Sequence, residues 1–491
     1  MEGVPALTSH QIVDVEEGFR RSDIVVEHEF RTGRQHQAPL GRPCCVCRPL
    51  PGGRLEVWNH TQGIHPARQC LSAPLGVPLS KIVVHQMPMG GAFGSYIYLY
   101  LTDAICALLA LETGLPVRLQ TTREEMVFDG GRQPFAIQLK TGVMRDGTLV
   151  AMDMSTLDGV GAYGPAPGMN MLAMGFFLSK YRCPNMRYDG HSVYTNTPPL
   201  GAMRGAGNPE IHFAVESQMD ILAAKLGMDP LELRLRNHSR VGDTFIGQSI
   251  DISCEIQSCG TEELIREGSR RIGWENREAR IPYPDRPWIK RGIGMASGFH
   301  TSGAGCATPS LVMTDYSGAT VKMNEDGTAS LTIAAADFGS GNRSAVAAIV
   351  AEELGIRYQD VIVTRADTDS SLYEFITHAS RSVYSVGSAA RKAAGKARQA
   401  LVELASRMSE VPAERLEVVD GEVVSKTDPP TRMGVVDVLG YAQSQNLGEP
   451  VGTASHRSTS CPPHFVVTFA EVEVDTLTGE LRVVRVVHLS L

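Results

Sequence analysis

The chain has 491 residues, more than one hydrophobic core organises, so two to four domains are expected. Hydrophobic residues make up 43% and charged residues 20%, ordinary for a soluble globular protein, and a formal net charge of -8 argues against a nucleic-acid-binding surface. No apolar run reaches the roughly 18 residues of a membrane span, and residues 1–20 are polar and acidic, unlike a signal peptide, so a cytoplasmic location is expected.

In chain order, residues 22–30 are rich in Val and Ile and read as a strand. Residues 44–48 and 55–59 flank Pro51-Gly52-Gly53-Arg54, a hairpin signature. A short helix over 65–75, a strand over 81–85 and an apolar helix over 99–112, stopped by Gly114, follow. Strands are predicted over 117–122, 135–143 and 149–157, the last two joined through Asp146-Gly147. Helices follow over 211–226 and 231–237, where Arg234 and Arg236 read as solvent-facing or salt-bridged. Residues 265–280 are a charged helical segment, and 292–301 resume a strand. From Leu311 the order strand, turn, strand, glycine turn, helix (343–354), strand (361–364) repeats the architecture of the first half. A long alanine-rich helix covers 389–408, and two hairpins turn at Gly421 and Gly479. Residues 424–460 read as a polar, irregular surface loop.

There are ten cysteines, and Cys44 and Cys47 make the only Cys-x-x-Cys pair. No second pair completes a zinc ribbon, and iron–sulfur spacings are missing. The preferred reading of Cys44-Cys45-Val46-Cys47 is a strand entering the hairpin, with a metal site or a reactive thiol pair as alternatives. No protein metal ligand is assigned.

Three glycine-rich turns stand out: 86–94, 201–210 and 337–343. A strand, a glycine turn and a helix start expose backbone N–H groups and form a generic anion cradle. The spacings fit neither the dinucleotide fingerprint nor the Walker loop. Three such turns suggest a large phosphate-bearing ligand held by several elements.

These motifs together resemble the molybdopterin-binding large subunit of the molybdenum hydroxylases, the xanthine dehydrogenase and aldehyde oxidase family. Thr61-Gln62 resembles the family's strand-end Thr-Gln, and Met89-Gly90-Gly91-Ala92-Phe93-Gly94 its Gly-Gly-Gly-Phe-Gly loop, with Ala92 in place of one glycine. Gly201 to Gly207 resembles its Arg-Gly-Phe-Gly loop, and Asp337-Phe338-Gly339-Ser340-Gly341 its Met-Gly-Gln-Gly loop. The run 380–387 resembles a serine-rich cofactor loop, and 470–475 with Gly479-Glu480 the Val-Glu-Val-Asp hairpin. The match covers nearly the whole chain, with six motifs in family order.

The resemblance implies an α+β fold of two related mixed domains of small sheets and helices, 1–264 and a partial 265–491. It also reads as truncated at both ends: the hammerhead-like domain and the region carrying the family's catalytic base fall outside the match. The implied activity is water-dependent oxidative hydroxylation of an N-heterocycle, aromatic compound or aldehyde. The alternative is a catalytically inactive scaffold retaining part of the cofactor site.

The implied cofactor is molybdenum–molybdopterin, with the cytosine dinucleotide form as one option. Gln62, Gly90, Gly91, Ala92, Phe93, Gly94, Arg204, Gly339, Ser340, Gly341, Ser380, Arg381 and Ser382 are the implied cofactor-binding residues. Phe93 would wedge apolar surface behind its turn, and a positive φ at Ala92 would be strained. Gln62 and Arg204 are the catalytic candidates, Arg204 steadying developing negative charge. Glu449, in Leu447-Gly448-Glu449-Pro450, is a further candidate, although this loop precedes the Val-Glu-Val-Asp strand and the family's base loop follows it; a surface-loop role is the preferred reading. Ile97 stands where the purine branch has a substrate-orienting glutamate. Iron–sulfur clusters and FAD are expected on partner subunits, and separate chains could supply the missing ends.

Overall fold

The computed structural model describes residues 6–97, 99–128, 130–163, 168–247, 253–279, 283, 285–303, 315–425 and 431–491. The chain forms two compact units, each discontinuous in sequence: one from Met1–His36, Asp129–Ser302 and Ser460–Leu491, the other from Gln37–Phe128 and Gly303–Thr459. Neither unit coincides with the first or second half of the sequence.

The first unit holds a five-stranded sheet in the order Ala6–Ile12, Asn185–Val193, Leu149–Gly159, Phe135–Val143, Ile24–Arg31. All neighbours are antiparallel except Leu149–Gly159 with Asn185–Val193. Phe135, Ile137 and Leu139 alternate inward along their strand, the period-2 pattern of a half-buried sheet. Helix Asn208–Leu226 starts after Gly207 (φ 83) with Pro209 in its first turn and stops at Gly227 (φ 63). It is tied to the sheet by buried Gln218, whose amide donates to the Leu139 carbonyl at 3.0 Å. A second sheet is an antiparallel meander of Ile289–Thr301, Pro463–Asp475 and Leu481–Ser490. Helix Thr261–Ile272 covers it through Leu264, Ile265, Gly268 and Ile272, and a Cβ at Gly268 would lie 2.3 Å from Phe469.

This unit also encloses Glu216, paired with Lys180 at 3.0 Å and Arg234 at 2.8 Å, and hydrogen-bonded by the Tyr181 hydroxyl at 2.6 Å. Burial alone would raise the pKa of Glu216, but Lys180 and Arg234 outweigh it and hold the carboxylate below its usual range. Of the two helix arginines, Arg234 is therefore a fully buried partner and not a solvent-facing one. Arg236 is exposed and reaches Asp146 at 3.2 Å.

The second unit contains two four-stranded sheets of one topology. The first runs Ile82–His85, Arg54–Asn59, Cys44–Leu50, Val117–Gln120, and the second Val361–Val363, Ala329–Thr332, Ser317–Met323, Val451–His456. Each is built from an antiparallel hairpin, a helix (Ile64–Leu75 or Asn342–Leu354), a strand parallel to the hairpin's second strand, a longer helix (Leu101–Thr113 or Gly387–Ser409), and a closing antiparallel strand. The predicted repeat is thus real. Its two copies share this unit, and the segment predicted from Leu311 lies outside the described residues as far as Thr314. Equivalent points also pair with each other: Gly63 bridges Ala335, and His85 bridges Asp367.

The expectation of an irregular loop over 424–460 is corrected. Among the described residues this stretch supplies the strands Arg432–Gly434 and Val451–His456 and the helix Val435–Ser444. Val435, Val438 and Leu439 are buried in the core of this sheet, and Gly452 meets the long helix so closely that a Cβ would lie 1.9 Å from the Ala393 carbonyl. The edge strand Val451–His456 pairs on one side only, and its exposed face carries Val451, Thr453 and Ser455 against buried Gly452, a pattern too weakly apolar to mark a strand in the sequence.

Candidate cofactor site

In the second unit, four loops leave equivalent strand ends of the two related sheets: residues 60–63, 86–97, 334–341 and 365–382. Gln62 joins three of them. Its side-chain Nε2 donates to the Thr377 carbonyl at 2.7 Å, its Oε1 accepts from the Tyr96 N–H at 3.3 Å, and its backbone N–H donates to the Tyr96 carbonyl at 2.9 Å. The amide is 2% exposed and held in one orientation, with one N–H and one lone pair still to offer.

The 86–97 loop lies against the chain at Gly41, whose N–H donates to the Gly90 carbonyl at 3.0 Å. A Cβ at Gly90 would sit 2.8 Å from the Gly41 nitrogen, so glycine is required there by contact. Gly91 (φ 92) and Gly94 (φ 105) need glycine by conformation. The strain that a positive φ would bring at Ala92 does not arise, and the expectation that Phe93 packs behind the turn is corrected. Ala92 has no positive φ and is fully buried with Met89, Tyr96, Tyr100 and Ala336. Phe93 takes the left-handed conformation (φ 56) and is 41% exposed. The small methyl is the one that fits inward.

In the 334–341 loop, Gly339 (φ 96) and Gly341 (φ 72) border open space, since no atom lies within 4 Å of an added Cβ. Gly341 precedes helix Asn342–Leu354, whose N-terminus is a natural place for an anion. Its own chain supplies one: the Asp337 carboxylate accepts from the Gly339 N–H at 2.9 Å and the Gly341 N–H at 3.3 Å. Ser340 is exposed. Arg343, on the first turn of that helix, donates to the Thr364 carbonyl.

Arg381 is fully buried and committed to structure. It pairs with Asp315 at 2.5 Å and with Glu374, and it donates to the Ser317 hydroxyl at 2.9 Å. Ser382 is buried and faces Asn342, whose Nδ2 lies 3.4 Å from its hydroxyl, whereas Ser380 is exposed in a left-handed conformation (φ 51). Glu449 is exposed between Gly448 (φ 77) and Pro450, whose carbonyl accepts from Met323.

The structure adds residues that the motifs passed over. Gln86 Oε1, Ser95 Oγ and Asn342 Oδ1 are buried without a hydrogen-bond partner. Such atoms cost free energy unless something bonds them. Asn342 carried a sequence signal, a polar residue directly after Gly-x-Gly at a helix start. His65 is also buried, chiefly for which reason its pKa falls to about 4, and its Nδ1 accepts from the Glu374 N–H. It is therefore neutral and structural.

Arg204 belongs to the first unit. Its turn carries four successive positive φ values, at Arg204 (21), Gly205 (104), Ala206 (37) and Gly207 (83). Arg132 holds the turn by donating to the Arg204 carbonyl at 2.8 Å and pairing with Glu210 at 3.2 Å. Glu210 thus has Arg132 as its partner, and the Arg204 side chain projects to the exposed side.

Unpartnered acceptors, a glycine-lined backbone and open space at Gly339 suit a large hydrogen-bonding ligand. The molybdopterin cofactor-binding domain matches residues 4–238, and a second molybdopterin cofactor-binding domain matches residues 267–490. The chain belongs to the molybdopterin cofactor-binding family of the molybdenum hydroxylases. It is 30% identical over 446 residues to the xanthine dehydrogenase molybdenum-binding subunit of Escherichia coli O157:H7, covering 89% of this chain and 57% of that protein. Quinoline 2-oxidoreductase from Pseudomonas putida 86 shares the fold at a TM-score of 0.90 with 24% identity, covering all of this chain and 64% of its own. Aldehyde oxidoreductase from Desulfovibrio gigas gives a TM-score of 0.81 at 25% identity, covering 98% of this chain and 51% of its own. The chain spans about half to two thirds of the length of these relatives. Among the described residues of this family member, no helix is long and apolar enough to cross a membrane.

Proposed function

We propose that the chain is the molybdopterin-binding part of a molybdenum hydroxylase that oxidises an N-heterocycle, an aromatic compound or an aldehyde with oxygen from water. The buried, unpartnered acceptors Gln86, Ser95 and Asn342 carry this reading, together with the two cofactor-domain matches. The bound group supplies the redox chemistry. The protein supplies position and hydrogen bonds. Gln62 presents its remaining N–H from a fixed amide, and Gly90, Gly91 and Gly94 let the backbone approach closely, with Ala92 packed beneath. Gly339 and Ser340 border the open side, where the cytosine dinucleotide form of the pterin would extend. Ser382 orients Asn342. Arg204 steadies negative charge that develops on the substrate.

Iron–sulfur and FAD groups on partner subunits would carry the electrons away, a division of labour that would make the chain one member of a heteromeric complex. The two matches, 4–238 and 267–490, support treating 1–264 and 265–491 as two sequence modules. A specific observation favours the inactive-scaffold alternative: Asp337 already occupies two cradle N–H groups, and Arg381 is locked in a buried ion pair. Molybdenum and pterin content of the complex purified with its neighbouring subunits decides between them. One equivalent of each, with turnover on a panel of heteroaromatics and aldehydes, supports the hydroxylase; a pterin-free, inactive complex supports the scaffold.

A further inference from the structure

The Cys44-x-x-Cys47 spacing draws attention to the wrong pair. Along the strand Cys44–Leu50, alternate residues share a face, so Cys45 and Cys47 point together while Cys44 points away. Cys45 and Cys47 are buried, at 1% and 0% exposure, and their sulfurs lie 3.5 Å apart. Helix Leu101–Thr113 packs on that face and places Cys106, also 0% exposed, beside them. All three sulfurs lie within 4.8 Å of one another. Asp103, one turn earlier on the same helix, is 3% exposed, and its carboxylate stands outside the group of sulfurs that lie within 4.8 Å of one another. Its Oδ2 is fixed by the Asn59 amide at 3.2 Å and the Tyr100 N–H at 3.3 Å.

We propose that Cys45, Cys47 and Cys106 form a structural site for a thiophilic divalent d¹⁰ cation, with zinc as the expected occupant. Metal–thiolate bonds of about 2.3 Å in a tetrahedron put the sulfurs about 3.8 Å apart, inside the spacing seen here. Three sulfur ligands select zinc over magnesium or calcium, which prefer oxygen. Binding exchanges three thiol protons, released to solvent, for three metal–sulfur bonds, and no oxidant or reductant is needed. The site would pin the first sheet to the helix that follows the 86–97 loop, and so hold that loop from behind. The cluster is fully enclosed, so the metal enters as the chain folds.

The test is zinc analysis of the full-length protein after exhaustive dialysis against a weak chelator, with cadmium substitution during expression as a spectroscopic probe. One equivalent of zinc, and a sulfur-to-cadmium charge-transfer band in the substituted protein, support the site. The conservative variants C47S and C106S should lower metal retention by about 10-fold or more. Wild-type protein without zinc, with all ten cysteines reacting as thiols on denaturation, overturns the proposal even if the variants fail to fold. So does a disulfide between any two of the three cysteines.

Discussion

Gln62 and Thr377 hold each other twice: the Gln62 side chain donates to the Thr377 carbonyl at 2.7 Å, and the Thr377 N–H donates to the Gln62 carbonyl at 2.8 Å. One residue lies in the loop that leaves the first of the two related sheets and the other in a loop following the second. This double clasp joins the two copies of the repeat where the site loops leave them. The bridge Gly63 to Ala335, one residue further on, extends the same seam.

Replacing Gln62 by Glu puts a carboxylate oxygen against the Thr377 carbonyl where an N–H now donates. The variant should lose about 1–3 kcal/mol of stability and most bound pterin, while Q62A should lose pterin with a smaller stability change. Urea denaturation paired with pterin fluorescence separates the two effects. A Q62E protein as stable as wild type would show that the clasp is dispensable.

Arg381 is expected to behave as a core residue. Removing it leaves the carboxylates of Asp315 and Glu374 buried without their cation. R381M should cost about 3–5 kcal/mol. If the residue instead binds phosphate from the surface, the variant will keep its thermal midpoint and lose only cofactor. Differential scanning calorimetry of the apo and loaded forms decides.

R204M should lower kcat/KM about 10- to 100-fold with molybdenum content unchanged, because Arg132 holds the turn through the Arg204 backbone carbonyl, which the substitution leaves in place. Equal kcat/KM in variant and wild type would remove Arg204 from the chemistry. Loss of molybdenum would instead make it a cofactor ligand.

Glu449 is solvent-exposed behind a left-handed glycine. E449Q should therefore change turnover by less than about 2-fold, whereas loss of a general base costs on the order of 10²–10⁴. Steady-state rates of the assembled complex give the answer directly.

How much of this was readable without coordinates differs by element. Phe135–Val143 and the helices bounded by Gly114, Gly227 and Gly355 were legible, because period-2 patterning and left-handed glycine stops are local signals. Val451–His456 was not, because its strand character comes from one neighbour and from the long helix over Gly452. At the candidate site, the glycines of 90–94 marked a tight turn in the sequence, and their assignment to a cofactor loop came from the family resemblance. The inward turn of Ala92 was not, since it depends on the pocket made by Tyr96 and Ala336. Arg381 looked like a phosphate ligand because its partners, Asp315 and Glu374, are distant in sequence or lack any pattern linking them to it. The thiol cluster was hidden for the same reason, since Cys106 lies 59 residues beyond Cys47 on another element.

Asp158 gives a pH prediction independent of the cofactor. It is fully buried, and burial pushes its pKa up to about 6, although Ser192 and Asn170 donate to Oδ1 at 2.7 and 2.5 Å. Its Oδ2 has no hydrogen-bond partner. The folded state therefore holds a proton between pH 3.8 and about 6 that the unfolded chain has released. This contribution to stability is fully present below the unfolded pKa and is lost as pH rises through about 6. D158N, neutral throughout and still able to accept at Oδ1, removes that dependence. Relative to wild type it should gain on the order of 2–3 kcal/mol between acidic and neutral pH. Urea midpoints of both proteins across this range test it. Parallel pH profiles for the two would mean that Asp158 stays ionised in the fold, stabilised by Asn170 and Ser192 more strongly than burial opposes it.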